Sequence, residues 1–187
     1  MRSRAALILL AIAGCGSPPP PVVPEMVATA APAPPPPPSP RRTDPRWLLA
    51  AGEDPLEKAR LAVAVGAAEL LSGVEDGGET AEVALAALPF ADDGEIALGR
   101  LGEMIRAPSP ARARVLAAIL GVAGQPRGAR EPIDPDGAKR CGAALIALAA
   151  DPAAPREERA LAVSAARALA EKGLVDPARI PSELDPR

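Results

Sequence analysis

Proline divides this chain into a stretch that cannot build a core and a stretch that can. Residues 16–45 contain the uninterrupted proline runs 18–21 and 34–38, with few large apolar residues between them. Proline fixes φ and removes a backbone hydrogen-bond donor, so such runs adopt extended polyproline II instead of helix or sheet. We therefore predict a stiff, disordered linker up to residue 45, a folded domain over residues 46–181 and a short tail, 182–187.

The first fourteen residues have the layout of a secretory signal peptide. Arg2 and Arg4 precede an uncharged, mostly apolar stretch that ends in two small residues, Ala13 and Gly14. As a helix, about nine apolar residues rise only about 14 Å, whereas the hydrocarbon core of a bilayer is about 30 Å thick. A membrane-spanning helix is therefore a poor alternative, and residues 1–14 are predicted to be removed.

The quartet from Ile12 to Cys15 resembles the lipobox of bacterial lipoproteins. That resemblance implies cleavage between Gly14 and Cys15, attachment of a diacylglycerol to the Cys15 thiol and a membrane anchor of acyl chains. Residue 16 is glycine instead of the aspartate that retains lipoproteins at the inner membrane in some lineages. The resemblance therefore implies an outer-membrane protein that faces the periplasm.

The composition of the remaining chain favours helices. Trp47 and Phe90 are its only aromatic residues, and alanine, leucine and valine dominate. Small and unbranched residues have high helix propensity, and few residues here favour strands. Apolar residues at helical spacing predict an all-α domain with six helices, at about 55–72, 79–89, 94–106, 110–123, 135–150 and 155–172.

Residues that cap helices support these boundaries. Asp54, Ser109 and Asp134 each precede a proline, the arrangement of an N-cap followed by the first helical residue. Asp92 and Glu95 have the spacing of a capping box. Gly173 follows the last helix, where it is expected to form a Schellman C-cap that Leu174 closes.

Paired helices would begin near residues 55, 94 and 135, a period of about 40 residues. Within this pattern, residues 109–121 resemble a HEAT-repeat helix, with an early proline and arginines, small residues and a final Leu-Gly; residues 155–169 match more loosely. The resemblance implies a short HEAT- or armadillo-like stack of about three hairpins over residues 50–173. An irregular helical bundle is the alternative. Trp47, Leu48 and Leu49 are expected to cover the N-terminal end.

The residue types that catalysis and metal binding usually need are scarce. The chain has no histidine or tyrosine, and Cys141, the only cysteine besides Cys15, lies on an apolar helix face. No nucleophile elbow, dinucleotide-binding or phosphate-binding glycine motif occurs. The acidic pairs Asp92–Asp93 and Glu157–Glu158 stand where acids cap helices. We therefore expect no enzyme activity, no metal, no cofactor and no small-molecule substrate.

One group of basic residues is a candidate binding surface. Arg127, Arg130, Lys139 and Arg140 flank the long connection 124–133, and Arg112 and Arg114 precede it. Such a surface would suit an acidic partner peptide or a peptidoglycan carboxylate, although solvated charge on an ordinary loop is the alternative. The whole chain has a net charge of −3, which does not suit nucleic-acid binding.

These patterns together predict a lipid-anchored, non-enzymatic envelope protein that acts as an interaction scaffold, adaptor or assembly factor for another envelope protein. A structural tether between the outer membrane and the cell wall is the first alternative. An envelope hydrolase is the second, although aromatic platforms for sugars are missing from the sequence.

Overall fold

The computed structural model describes residues 39–126 and 132–182. Over those residues the chain forms seven α-helices and no β-strand, which confirms the predicted all-α class. Short 3-10 turns lie at Pro40–Thr43, Leu88–Phe90, Gly94–Ala97 and Pro177–Arg179. The helices are α1 Pro45–Ala50, α2 Pro55–Asp76, α3 Gly78–Ala87, α4 Leu98–Met104, α5 Arg112–Gly124, α6 Pro135–Ala150 and α7 Arg156–Glu171.

The helices pack in consecutive pairs. Helix α2 lies against α3, α4 contacts α5, and α6 lies against α7. The last two pairs stack on each other, since the first helices of the pairs, α4 and α6, are in contact and so are the second helices, α5 and α7. From α4 onward, this is the packing expected of stacked hairpins. Kinship with HEAT repeats remains a prediction.

Two of the three predicted aspartate or serine caps form as expected. The Asp54 carboxylate accepts the backbone N–H of Leu56, and the Asp134 carboxylate accepts that of Gly137, each at 2.9 Å. The Ser109 prediction was wrong, because α5 begins only at Arg112 and has no side-chain cap. Residues 109–111 form a turn instead, in which the Ser109 carbonyl accepts the Arg112 N–H.

The C-terminus of α7 confirms the predicted Schellman motif. Gly173 has a φ of 70° and donates to the Ala170 carbonyl at 2.9 Å. The N–H of Leu174 reaches back to the Leu169 carbonyl at 3.0 Å, and the Leu174 side chain is buried. Glycine occupies the left-handed position at low cost and lets the chain turn away from the helix.

The predicted capping box at Asp92 and Glu95 was wrong, and the neighbouring Asp93 instead caps a break in α2. Gly66 has a φ of 75°, which interrupts the helix, and the Asp93 carboxylate accepts the N–H of Ala67 at 2.9 Å. Asp93 therefore caps the second half of α2, 26 residues earlier in the chain. The predicted helix over 94–106 begins instead as a 3-10 turn without a side-chain cap, and α4 starts at Leu98.

Glycine allows α4 and α6 to approach closely. A Cβ atom on Gly102 would lie 2.7 Å from the Cys141 Cα, and one on Gly99 would lie 3.2 Å from the Gly137 Cα. Real Cβ atoms do not approach a backbone atom within 3.0 Å. The spacing of these two helices therefore depends on the missing side chain at Gly102.

Helix α1 and the turn before it are held against α2. Trp47 is buried, as predicted, and a Cβ on Gly73 would overlap its ring. Arg41 pairs with Glu69 and Asp76, and the Ser39 hydroxyl donates to Asp76, so contacts with the helices begin before residue 46. These hydrogen bonds, first from Ser39 and then from Arg41, hold the pKa of Asp76 below its ordinary value. The prediction that Leu48 and Leu49 cover this end was wrong, because both are exposed.

Candidate functional site

The basic residues predicted to form a binding surface divide into three groups. Arg127 and Arg130 lie outside the described residues, as do Gly14 and Cys15 of the predicted lipidation site. Lys139 and Arg140 are exposed on α6. The Lys139 Nζ lies 3.7 Å from the Asp136 carboxylate, whereas Arg140 forms no ion pair with any described residue and reaches across to Gly99 of α4. Arg140 thus contributes an exposed positive charge to this surface.

Arg112 and Arg114 do not extend this surface. The Arg112 guanidinium is buried and pairs with Glu158 of α7, with nitrogen–oxygen distances of 2.6 and 2.5 Å. Arg114 forms an exposed ion pair with Glu82 of α3 at 2.6 Å. The Glu158 carboxylate therefore links α7 to α5, whereas the sequence suggested that it caps the start of its own helix. Sequence reasoning missed this pair because its members are 46 residues apart.

A second ion pair lies where the described ends of the 124–133 connection meet the domain. The Lys172 Nζ lies 3.8 Å from the Glu95 carboxylate, and both side chains are mostly buried. Lys172 also donates to the Val122 carbonyl at 3.5 Å, and the Ile133 N–H donates to Glu95 at 3.4 Å. Three helix ends meet at this small cleft, which holds about 50 Å³ and has Pro89, Gln125 and Pro126 on its walls. These charges fix the ends of the connection.

Large apolar side chains are exposed at the N-terminal end of the domain. Leu48 and Leu49 of α1 are 58% and 62% exposed, and Leu56 and Val63 of α2 are 55% and 75% exposed. Leu56 and Val63 are seven residues apart and therefore share one face of their helix. Their exposure contrasts with Leu61 and Leu70 of the same helix, which are buried in the core. Leu56 and Val63 therefore leave an apolar stripe on one face of α2 in solvent, and contiguous apolar surface suits contact with another protein.

The cysteine that the described residues contain has a structural role. Cys141 is fully buried in the core, and burial raises the pKa of its thiol to about 12. A thiol with that pKa remains protonated at neutral pH, so it is a poor nucleophile. Over residues 39–126 and 132–182, no cluster of three His, Cys, Asp or Glu residues is arranged to hold a metal ion.

No helix within the described ranges has the length and apolar character that crossing a membrane requires. Comparison of the chain with protein-family models, with curated proteins and with solved structures found no match.

Proposed function

We propose that this protein is a lipid-anchored interaction module of the bacterial cell envelope that binds another envelope protein as a scaffold, adaptor or assembly factor. The exposed apolar side chains of α1 and α2 are the observation that carries this proposal. The described residues bury 36 apolar side chains in a core yet leave Leu48, Leu49, Leu56 and Val63 in solvent, which gives this domain a surface suited to protein contact. The lipobox-like quartet supports the envelope location.

The exposed positive charge of Lys139 and Arg140 supports a protein partner with acidic segments. Charged surface groups accelerate encounter and select partners, while apolar groups contribute most of the affinity. Catalysis is not part of the proposal, since the Cys141 thiol is buried and its raised pKa keeps it protonated at neutral pH. The alternative, a tether that binds the cell wall, would use the same basic residues for peptidoglycan carboxylates.

Photo-cross-linking in living cells tests the proposal. A benzoylphenylalanine placed at Val63 or Arg140 should capture another envelope protein. The control position, Ser164, is exposed on α7 and belongs to neither surface. Capture at Val63 or Arg140 but not at Ser164 supports a binding module. Co-purification with peptidoglycan and no protein adduct at either position would favour the tether and contradict the proposal.

Charge reversal predicts a specific change in this cross-linking. The variant Arg127→Glu, Arg130→Glu, Arg140→Glu should reduce the adduct formed from residue 63 several-fold, because reversed charges slow association. The thermal midpoint should change little, since each exposed charge contributes at most about 1 kcal/mol. Arg167→Glu, an exposed change on α7, is the control. If the triple variant cross-linked as well as the wild type, the basic residues would not belong to the binding surface.

Anchoring is tested by metabolic labelling with a palmitate analogue. A Cys15→Ser chain should lose the label and leave the membrane fraction, because Cys15 supplies the only thiol of the lipobox-like quartet. Cys141→Ala is the matched control, since it removes the only other cysteine and should keep the label. Continued labelling of the Cys15→Ser chain would refute lipidation at this site.

A further inference from the structure

Helix α2 changes its buried face at Gly66. Positions seven apart lie on the same face of a continuous α-helix, because two turns take about seven residues. Leu70 is fully buried, yet Val63, seven residues earlier, is 75% exposed. Leu61 is buried, yet Ala68, seven residues later, is exposed. The two mismatches run in opposite directions, so the parts of α2 on either side of Gly66 differ in orientation by about half a turn.

The first half of α2, residues 55–65, therefore has two apolar faces. Leu61 and Ala62 lie in the core, while Leu56 and Val63 lie on the opposite side of the helix in solvent. The core of the domain covers one apolar face of a helix, and a second apolar face suits contact with a further surface. The change of face at the break is thus what leaves this stripe available.

Asp93 caps the second half of α2, residues 67–76, at this break. Its carboxylate accepts the N–H of Ala67 at 2.9 Å. The first N–H groups of a helix have no intrahelical partner, and Ala67 is fully buried, so its N–H needs an acceptor from the protein. The carboxylate also lies beside the break itself, because a Cβ on Gly66 would stand 3.4 Å from its Oδ2.

The turn that follows Asp93 fixes the position of this carboxylate. The Asp93 carbonyl accepts the Ile96 N–H at 3.1 Å, and the Gly94 N–H donates to the Ala91 carbonyl at 3.0 Å. The same 3-10 turn, Gly94–Ala97, contacts α2. The break is therefore tied to the segment that leads into α4.

We infer that Asp93 and Gly66 are positioning residues of the proposed binding surface. Gly66 permits the break, because glycine adopts its φ of 75° at low cost. Asp93 supplies the acceptor that the break requires and so keeps Leu56 and Val63 turned outward. That these two side chains meet a partner rests on the proposed function, whereas their orientation does not.

Spin labels on the two halves of α2 test the orientation. Arg60→Cys and Glu75→Cys introduce labels at exposed positions of the full-length chain. The background carries Cys15→Ser, and the remaining native thiol is buried. Pulsed EPR should give one narrow distance distribution, which Asp93→Ala should broaden at least twofold. Asp93→Asn keeps an acceptor oxygen and should leave the distribution narrow. Asp92→Ala, which removes the adjacent exposed acid, is the matched control. An unchanged distribution in the Asp93→Ala chain would overturn the inference.

Cross-linking tests the consequence for binding. A benzoylphenylalanine at residue 63 should form several-fold less adduct in the Asp93→Ala chain and a normal amount in the Asp93→Asn chain. Gly66→Ala should have the same effect as Asp93→Ala, because alanine is strained at a positive φ. The two changes combined should add little, since both act on one break. Arg112→Met weakens the domain at α5, away from the break, and should keep the adduct.

The two measurements separate the inference from the proposed function. Absence of an adduct in the wild type would contradict the proposed function, and the EPR distances would then decide the orientation alone. A wild type that forms the adduct, together with an undiminished adduct in the Asp93→Ala chain, would refute the positioning role. Equal losses of adduct in the Asp93→Ala and Arg112→Met chains would also refute it, because general loss of stability would then be the cause.

Discussion

Replacing Arg112 by methionine is expected to lower the free energy of unfolding by about 3 kcal/mol. The Arg112 side chain is 7% exposed and that of its partner Glu158 is 15% exposed, so the pair is shielded from water. Methionine keeps much of the apolar stem of arginine but leaves the Glu158 carboxylate without its positive partner. An uncompensated, mostly buried charge is costly because the protein interior solvates it poorly. Urea denaturation followed by circular dichroism measures the change.

Arg114 provides a matched control on the same helix. Its ion pair with Glu82 is exposed, with side chains 59% and 53% accessible, so Arg114→Met should cost less than about 1 kcal/mol. The double variant Arg112→Met, Glu158→Leu removes both buried charges and should recover most of the lost stability. A double variant as unstable as Arg112→Met would show that the pair acts through packing instead of charge.

Local sequence patterns predicted the features that depend on local contacts. The caps at Asp54 and Asp134 and the Schellman motif at Gly173 each involve residues within one turn, so their residue types sufficed. The burial of Trp47 was also predictable, since a large aromatic side chain beside apolar residues favours the core. The exposure of Leu48 was not, because only the docking of α1 on its neighbours decides which face of this short helix is covered.

Features that depend on distant residues escaped the sequence. Asp92 and Glu95 have the spacing of a capping box and Asp93 stands beside Asp92, so these acids suggested a local cap, but Asp93 instead accepts the Ala67 N–H at the break in α2. Gly66, which makes that break possible, lies in a run of small residues where a glycine does not by itself indicate an interruption. Arg112 resembled a surface charge for the same reason, because its partner belongs to another helix pair.

The same limit applies to the surface of the domain. Arg140 was predicted as a surface residue from its place beside a long connection, and it is exposed. The pocket between α1, the turn Pro40–Thr43 and α3 could not be predicted, because it requires Arg42, Trp47 and the start of α3 to meet in space.

Replacing Gly102 by valine is expected to destabilise the domain by about 3 kcal/mol, a cost typical of overpacking a well-filled core. The new Cβ would lie 2.7 Å from the Cys141 Cα, a backbone atom of α6 that no side-chain rotation can move away. The two helices would have to separate, and separation would open space around Cys141 and Leu101, which are both fully buried. Gly102→Ala introduces the same contact, but the higher helix propensity of alanine offsets about 1 kcal/mol of its cost.

Gly124 is the control that separates packing from backbone effects. It is the last residue of α5, and a Cβ there would meet nothing within 4 Å. Gly124→Ala should therefore raise the free energy of unfolding by up to about 1 kcal/mol, because alanine loses less backbone freedom than glycine on folding. Thermal and urea denaturation of both alanine variants measure the difference. If Gly102→Ala stabilised the protein as much as Gly124→Ala, α4 and α6 would not be in the close contact on which the stacking of the last two helix pairs depends.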